Sequence, residues 1–275
     1  MGKMSIWEDK NTLAGKFWSN TVVEDCPIYD MHGHMGSLNT IYFKRDSASE
    51  MVAHMRRAGV KRLVFSHHHA LFDANLRNAE VHKICLGYPE ELRMYVAVNP
   101  HYPSHIKEDL RLFDSWRPYA VGLKILADYH RVKVSDRKYE YALSFANERR
   151  LPVLFHTWGG SSQSGYEELR KVAERYPDLI IFAGHSIYGD WDNAVKLVKE
   201  SPGKVYLELT AIPGVNGVIE QLVENAGSES LLLGSDLPWF DEFQVIGGVL
   251  SSKISDEDKR NIFYRNVEKL FGKNW

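Results

Sequence analysis

Apolar positions along the chain fall into eight short runs separated by longer amphipathic stretches. The runs are PIYDMHGH (27–34), RLVFSH (62–67), MYVAVNP (94–100), AVGLKIL (120–126), LPVLFHTW (151–158), LIIFAGHS (179–186), VYLELTA (205–211) and LLLGSDLP (231–238). They are rich in Val, Ile, Leu and Tyr, and nearly continuous in hydrophobicity rather than alternating. Parallel strands covered on both faces read this way. Successive runs begin roughly 30 residues apart, the length of one strand-plus-helix unit.

The stretches between them read as helices. Ser47 and Glu50 form a capping-box pair ahead of EMVAHMRRAG, which closes at Gly59. Ser164 and Glu167 repeat the device, and Pro177 stops that helix. Residues 135–150, 190–201 and 255–272 carry apolar side chains at three-to-four spacing. Strict β/α alternation predicts a parallel sheet with helices outside. Eight units in one domain favour closure into an α/β (β/α)8 TIM-type barrel, and no Gly-rich phosphate fingerprint follows the first strand. The expectation is one barrel domain over 1–275, with 1–26 as a short N-terminal extension packed on it.

Composition narrows the function classes. The 275 residues are 44% hydrophobic and 25% charged, ordinary for a globular domain. A net charge of -2 gives no electrostatic footprint for nucleic acid or a membrane surface. No apolar run approaches the ~20 residues that span a bilayer. The first residues have scattered charges and no apolar centre, unlike a secretory signal. Cys26 and Cys85 match no metal or redox spacing, and a reducing cytoplasm is the simplest compartment. The expected partner is a small-molecule substrate, and a homo-oligomer fits equally well.

The chemistry gathers at the ends of the runs, where barrels of this kind place their active sites. The first ends in His32 and His34, and the second reaches Ser66 and His67–His69. The third ends in Asn99, the fourth carries Lys124 and the fifth His156. The sixth ends in His185, the seventh carries Glu208 and Thr210, and the eighth ends in Asp236. Side chains at i and i+2 of a strand share a face. His32 and His34 therefore face the barrel axis together, with Gly33 outward where helices pack. His156 and Asp236 would complete a ligand set for one divalent ion. Histidines with a carboxylate suit zinc, and also iron, nickel or manganese. Each has a plainer reading: a core histidine bonded to a carbonyl, or an aspartate capping a turn. The coincidence at strand ends favours the site.

These residues also carry a family resemblance. DMHGHMG, GLKIL, LFHTWG, FAGHSIYGDW, LLLGSDLPW and IFYRNVEKLFG occur in order from Asp30 to Gly272. The chain resembles the amidohydrolase superfamily, in its amidohydrolase-related branch (amidohydrolase 2). The resemblance implies a TIM-type barrel with His32, His34, His156 and Asp236 as metal ligands, and His185 as a catalytic residue or second ligand. Departures exist: the fourth-strand motif lacks the family's following His-Pro, and Val267 stands where Ala is usual. Lys124 is thus read as a substrate contact or structural residue. Two ions are expected only if it is carboxylated.

The first functional expectation is hydrolysis of an amide, ester or lactone by metal-activated water, with Asp236 moving the proton and His185 orienting water or the oxyanion. The alternative is metal-dependent, non-oxidative decarboxylation of a small carboxylic acid, aromatic acids included, at the same site. A non-catalytic metal-binding barrel comes third, because Asp236 is present. Lys124, His67, Trp158, Tyr188 and Trp239 are candidate substrate contacts, with His68 and His69 expected to be exposed.

Overall fold

The computed structural model describes residues 9–20, 25–38, 41–72, 76–273 and 275. Eight parallel strands follow one another in chain order: β1 (Ile28–Met35), β2 (Val60–His67), β3 (Leu92–Ala97), β4 (Ala120–Ile125), β5 (Pro152–Trp158), β6 (Ile180–Tyr188), β7 (Val205–Glu208) and β8 (Leu231–Leu232). The chain just beyond β8 returns to β1. Met31 N donates to Leu233 O (2.9 Å), Asp236 N to His32 O (2.6 Å) and His34 N to Leu237 O (2.6 Å). A parallel bridge between Gly33 and Leu237 completes the closure. The result is the TIM-type barrel that the eight runs imply.

Two apolar layers hold it. One lies between the strands and the surrounding helices. The other fills the barrel's lower interior with Tyr29, Met31, Val64, Tyr95, Leu154 and Phe182, together with Tyr206 and Leu232. Period-two alternation from Tyr29 and Met31 would turn His32 and His34 outward. A register shift between Asp30 and Gly33, where three steps on β1 oppose two on β2, reverses the phase. Core residues below and the histidine pair above therefore point into the same barrel. Gly33 faces outward, and a Cβ there would stand 2.8 Å from the Leu63 side chain.

Strands seven and eight are shorter than the apolar runs imply. Beyond β7 the chain curls around its own Glu208: Thr210 N and Oγ1 both donate to Glu208 Oε1 at 2.6 Å instead of joining a ladder. Ala211 then takes a left-handed φ of 65°. Beyond β8, Asp236 does the same with φ 61°.

Ser47 is the N-cap residue of helix Ala48–Arg57, but its Oγ donates to Glu50 Oε2 (2.5 Å) and accepts from no backbone N–H of the helix, so the expected capping box does not form. Ser164 behaves differently from its expected role. The helix begins at Tyr166 after Gly165, and the Ser164 hydroxyl donates to Asp128 across the barrel rim. The closing helix runs through Asp256–Arg260, a π turn at Asn261–Arg265 and Asn266–Phe271. Asn266 Nδ2 donates to Ser228 O (2.8 Å) and Leu231 O (2.7 Å), pinning the start of β8.

The N-terminal extension contributes helix Leu13–Asn20, which buries Leu13, Ala14 and Phe17 against the helices after β8. The parts of the extension at 1–8 and 21–24 lie outside the described residues. Among the described residues no helix is long and apolar enough to cross a membrane.

Candidate metal centre

The polar residues at the barrel's upper end stand one step above the apolar layer. Ser66 follows Val64 by two positions, His156 follows Leu154 and Glu208 follows Tyr206, so each keeps its strand's inward phase. His185 arrives differently. His185, Ser186 and Ile187 have φ of 61°, 51° and 51°, a left-handed run that L side chains rarely adopt. Three bonds hold it: His185 N to Glu208 Oε2 (3.1 Å), Ser186 Oγ to Glu208 O (2.8 Å) and Ile187 N to Thr157 Oγ1 (2.9 Å). Strain held this firmly is typical of functional sites.

At the centre, His32, His185 and Asp236 each offer a ligand atom within 4.8 Å of the others. His34 Nε2 lies 3.3 Å from His32 Nε2 and 3.2 Å from Asp236 Oδ1. His156 Nδ1 lies 3.1 Å from His185 Nε2 and is thus beside the set. The structure accordingly brings all five expected residues together, with His185 Nε2 4.0 Å from Asp236 Oδ2.

The donor chemistry fits a divalent ion. Burial pushes the imidazoles of His32, His34 and His185 well below their ordinary pKa and brings His156 down to about 4. Neutral imidazoles keep a lone pair for a metal. Asp236 Oδ1 is buried and accepts no hydrogen bond from the described residues. An oxygen left in that condition is costly unless a cation or proton meets it.

Glu208 had no assigned role in the sequence, and the structure gives it one. It is fully buried and accepts from His32 Nδ1 at 2.8 Å. That bond places the His32 proton on Nδ1 and turns the Nε2 lone pair into the site, as outer partners of metal-bound histidines do. Burial lifts the Glu208 carboxyl to about 7. A Cβ on Gly234 would land on Glu208 Oε1 and come within 2.7 Å of His32 Cβ, so only glycine leaves room for this pair. Lys124 is also fully buried, with Nζ 2.7 Å from His32 Nε2, and burial lowers it to about 8.

Above the ligands opens a cavity of about 160 Å³. His34, His68, His156, His185 and Asp236 form its base, and Phe72, Leu126, Tyr129, Trp158, Trp239 and Phe240 form its walls. Trp158 and Trp239 are where the sequence placed them. Tyr188 backs the wall instead, stacking on Trp158 with ring centres 4.5 Å apart. His67 does not line the cavity. It lies under the β1 loop against Gly36, where it accepts from His69 N at 3.2 Å. His68 takes the position instead, buried and stacked on His34 at 4.9 Å. Its Nδ1 donates to Gly36 O (2.6 Å), and its Nε2 accepts from Trp239 Nε1 (3.2 Å). These partners come from loops distant in sequence, which is why three adjacent histidines gave no hint of their order. A larger hollow of about 510 Å³ at the strands' N-terminal ends, beside Arg117 and Trp275, has no histidine or carboxylate in its lining.

The family model described as amidohydrolase matches residues 29–273. Similar solved structures include a putative amidohydrolase from Staphylococcus aureus, 16% identical, covering 90% of this chain and 99% of that one, with a TM-score of 0.69. A 5-carboxyvanillate decarboxylase from Sphingomonas paucimobilis is 13% identical, covering 90% and 99%, with a TM-score of 0.72. A dihydroxybenzoic acid decarboxylase from Polaromonas sp. JS666, with bound manganese and the inhibitor 2-nitroresorcinol, is 14% identical, covering 91% and 98%, with a TM-score of 0.73. No curated protein matches the sequence.

Proposed function

Because the chain belongs to the amidohydrolase family, we propose that it is a metal-dependent decarboxylase of a small aromatic carboxylic acid. The observation that carries this reading is the cavity. Its 160 Å³ compares with the roughly 150 Å³ that accommodates a benzene ring. Its walls are aromatic, and its base is the histidine–aspartate set. Two of the similar structures are named as decarboxylases of aromatic acids, which supports the same reaction.

His32, His34, His156, His185 and Asp236 would hold one divalent ion. Zinc was the expected ion, and the manganese of the Polaromonas protein supports a divalent metal without singling zinc out. When bound, the ion supplies positive charge that neutralises and positions the acid group of the substrate. The chain's own residues do the rest. Phe72, Trp158 and Trp239 would supply aromatic surface against the ring. Asp236 is the only carboxyl lining the cavity among the described residues. In its protonated form it donates to the ring carbon that bears the carboxylate. The carbon–carbon bond then breaks, its electron pair returns to the ring, and CO2 leaves. One proton is consumed and is restored to Asp236 from solvent.

Hydrolysis is the second reading, favoured by the family's description and by the Staphylococcus aureus protein's name. There Asp236 would take the proton of an attacking water and pass it to the leaving group. A panel of hydroxybenzoates, amides, esters and lactones, assayed with manganese- and zinc-loaded protein, separates the two. CO2 released from a hydroxybenzoate without hydrolysis elsewhere supports decarboxylation. Lactone or amide cleavage with no CO2 overturns it. Full activity after chelation overturns both.

A further inference from the structure

The walls of the cavity carry no cation. Among the described residues no lysine or arginine lines it. Lys124 is fully buried against His32, outside the lining. Its charge acts on His34, His156 and His185, at the ligand end of the cavity. Arg45, on the loop after β1, is engaged with Asp241 at 3.6 Å. The other fixed charges near the cavity are acidic. Asp236 forms part of its base. Asp128, held by the hydroxyls of Ser161 and Ser164, acts electrostatically on both Tyr129 and His156. Phe72, Leu126, Tyr129 and Phe240, also in the lining, carry no charge, and no cationic side chain accompanies them among the described residues.

We propose that the site selects one-ring acids bearing a single negative charge and rejects rings that carry a second anionic group. This rests on reading the site as one for small aromatic carboxylates. The space holds one ring, so a first carboxylate at the histidine end puts any second one among uncharged, mostly aromatic side chains. There it would lose part of its water, meet no counter-charge and feel Asp128 as a like charge. Neutral hydroxyl or methoxyl substituents incur no such penalty. The selection would thus come from the bare walls, separately from whatever holds the first carboxylate.

The test is equilibrium binding to manganese-loaded protein, read by quenching of the tryptophan fluorescence to which Trp158 and Trp239 contribute. The probes are 2-hydroxybenzoate and benzene-1,3-dicarboxylate. The monoacid should bind on the order of 100-fold more tightly. Phe240 lies on the wall at 38% exposure, so Phe240→Lys adds a cation without disturbing the core. That variant should bring the dicarboxylate to within about tenfold of the monoacid, and Phe240→Met should not. Equal affinities in the unaltered protein, or a Phe240→Lys variant no better for the dicarboxylate, overturn the proposal. Failure of either acid to bind overturns it together with the aromatic-acid reading. If the affinity order holds while no ring acid loses CO2, the charge selection stands and decarboxylation falls. If the dicarboxylate loses CO2 as readily as the monoacid, the reverse holds.

Discussion

Glu208→Gln removes one charge and one acceptor from a side chain on which four donors converge. His32 Nδ1 (2.8 Å) and His185 N (3.1 Å) meet Oε2, and Thr210 N and Oγ1 (both 2.6 Å) meet Oε1. Whichever way the new amide turns, its NH2 faces two donors. Two hydrogen bonds are lost, and donors left unpaired in a buried site cost about 1–3 kcal/mol each. The Thr210 hydroxyl can rotate and His32 can change tautomer, which keeps the loss near the lower end, about 2–4 kcal/mol. An opposing effect comes from the charge itself. Burial holds the Glu208 carboxyl at about 7, so the fold resists its ionisation and a neutral amide relieves that resistance.

The two effects run against each other in the metal-free protein, and its melting temperature should fall by only a few degrees. Metal binding has no such compensation. If His32 switches its proton to Nε2 to satisfy the amide, the lone pair aimed at Asp236 and His185 is gone. Divalent-ion affinity should then fall about 10–100-fold, or about 1.4–2.7 kcal/mol. Calorimetric titration of chelator-stripped protein with Mn2+, beside thermal melts of the same samples, reads both quantities. Unchanged affinity would refute the orienting role of Glu208. A metal-free variant that no longer folds would refute the compensation.

Asp236→Asn should abolish turnover and leave the melting temperature within a few degrees, because Asp236 Oδ1 accepts no hydrogen bond from the described residues that folding would lose; measurable kcat in this variant would remove Asp236 from proton transfer. Gly234→Ala drives a methyl group onto the Glu208–His32 pair and should cost about 1–3 kcal/mol with a parallel loss of metal affinity, whereas Gly87→Ala, where a Cβ meets nothing within 4 Å, should change neither; equal melts for the two would refute the packing argument. His130 is held neutral by burial, its pKa brought from 6.5 down to about 4, with Nδ1 2.9 Å from Tyr139 OH and Nε2 2.9 Å from Leu71 O. The unfolded chain binds a proton here first as pH falls, so the contribution is whole above pH 6.5 and is lost progressively down to about pH 4. It amounts to about 3 kcal/mol. Urea unfolding at pH 7 and pH 4 should show a smaller drop for His130→Gln than for the unaltered protein, and parallel drops would refute the assignment.

The barrel was legible because strands buried on both faces leave continuous apolar runs, and because function collects where those runs stop. What escaped the sequence was anything set by contact between distant segments. The His32–His34 spacing pointed both rings inward, yet Tyr29 and Met31 also face inward. The two facts are compatible only through the bulge between Asp30 and Gly33, which exists by pairing with β2. His68 outranks His67 because Gly36 and Trp239 hold its two nitrogens, and neither is its neighbour in sequence. Glu208 looked like one more strand-end carboxylate until His32, 176 residues away, was seen to depend on it. A within-strand signal for it did exist. Once Val64, Leu154 and Tyr206 are recognised as the inward apolar layer, the residue two positions beyond each is forced toward the same axis. Those residues are Ser66, His156 and Glu208. Ser66 Oγ lies 3.3 Å from His34 Nδ1, and Glu208 holds His32. On these three strands the step from core to chemistry is two residues long, and it identifies two groups that orient ligands, Ser66 and Glu208, and one ligand, His156.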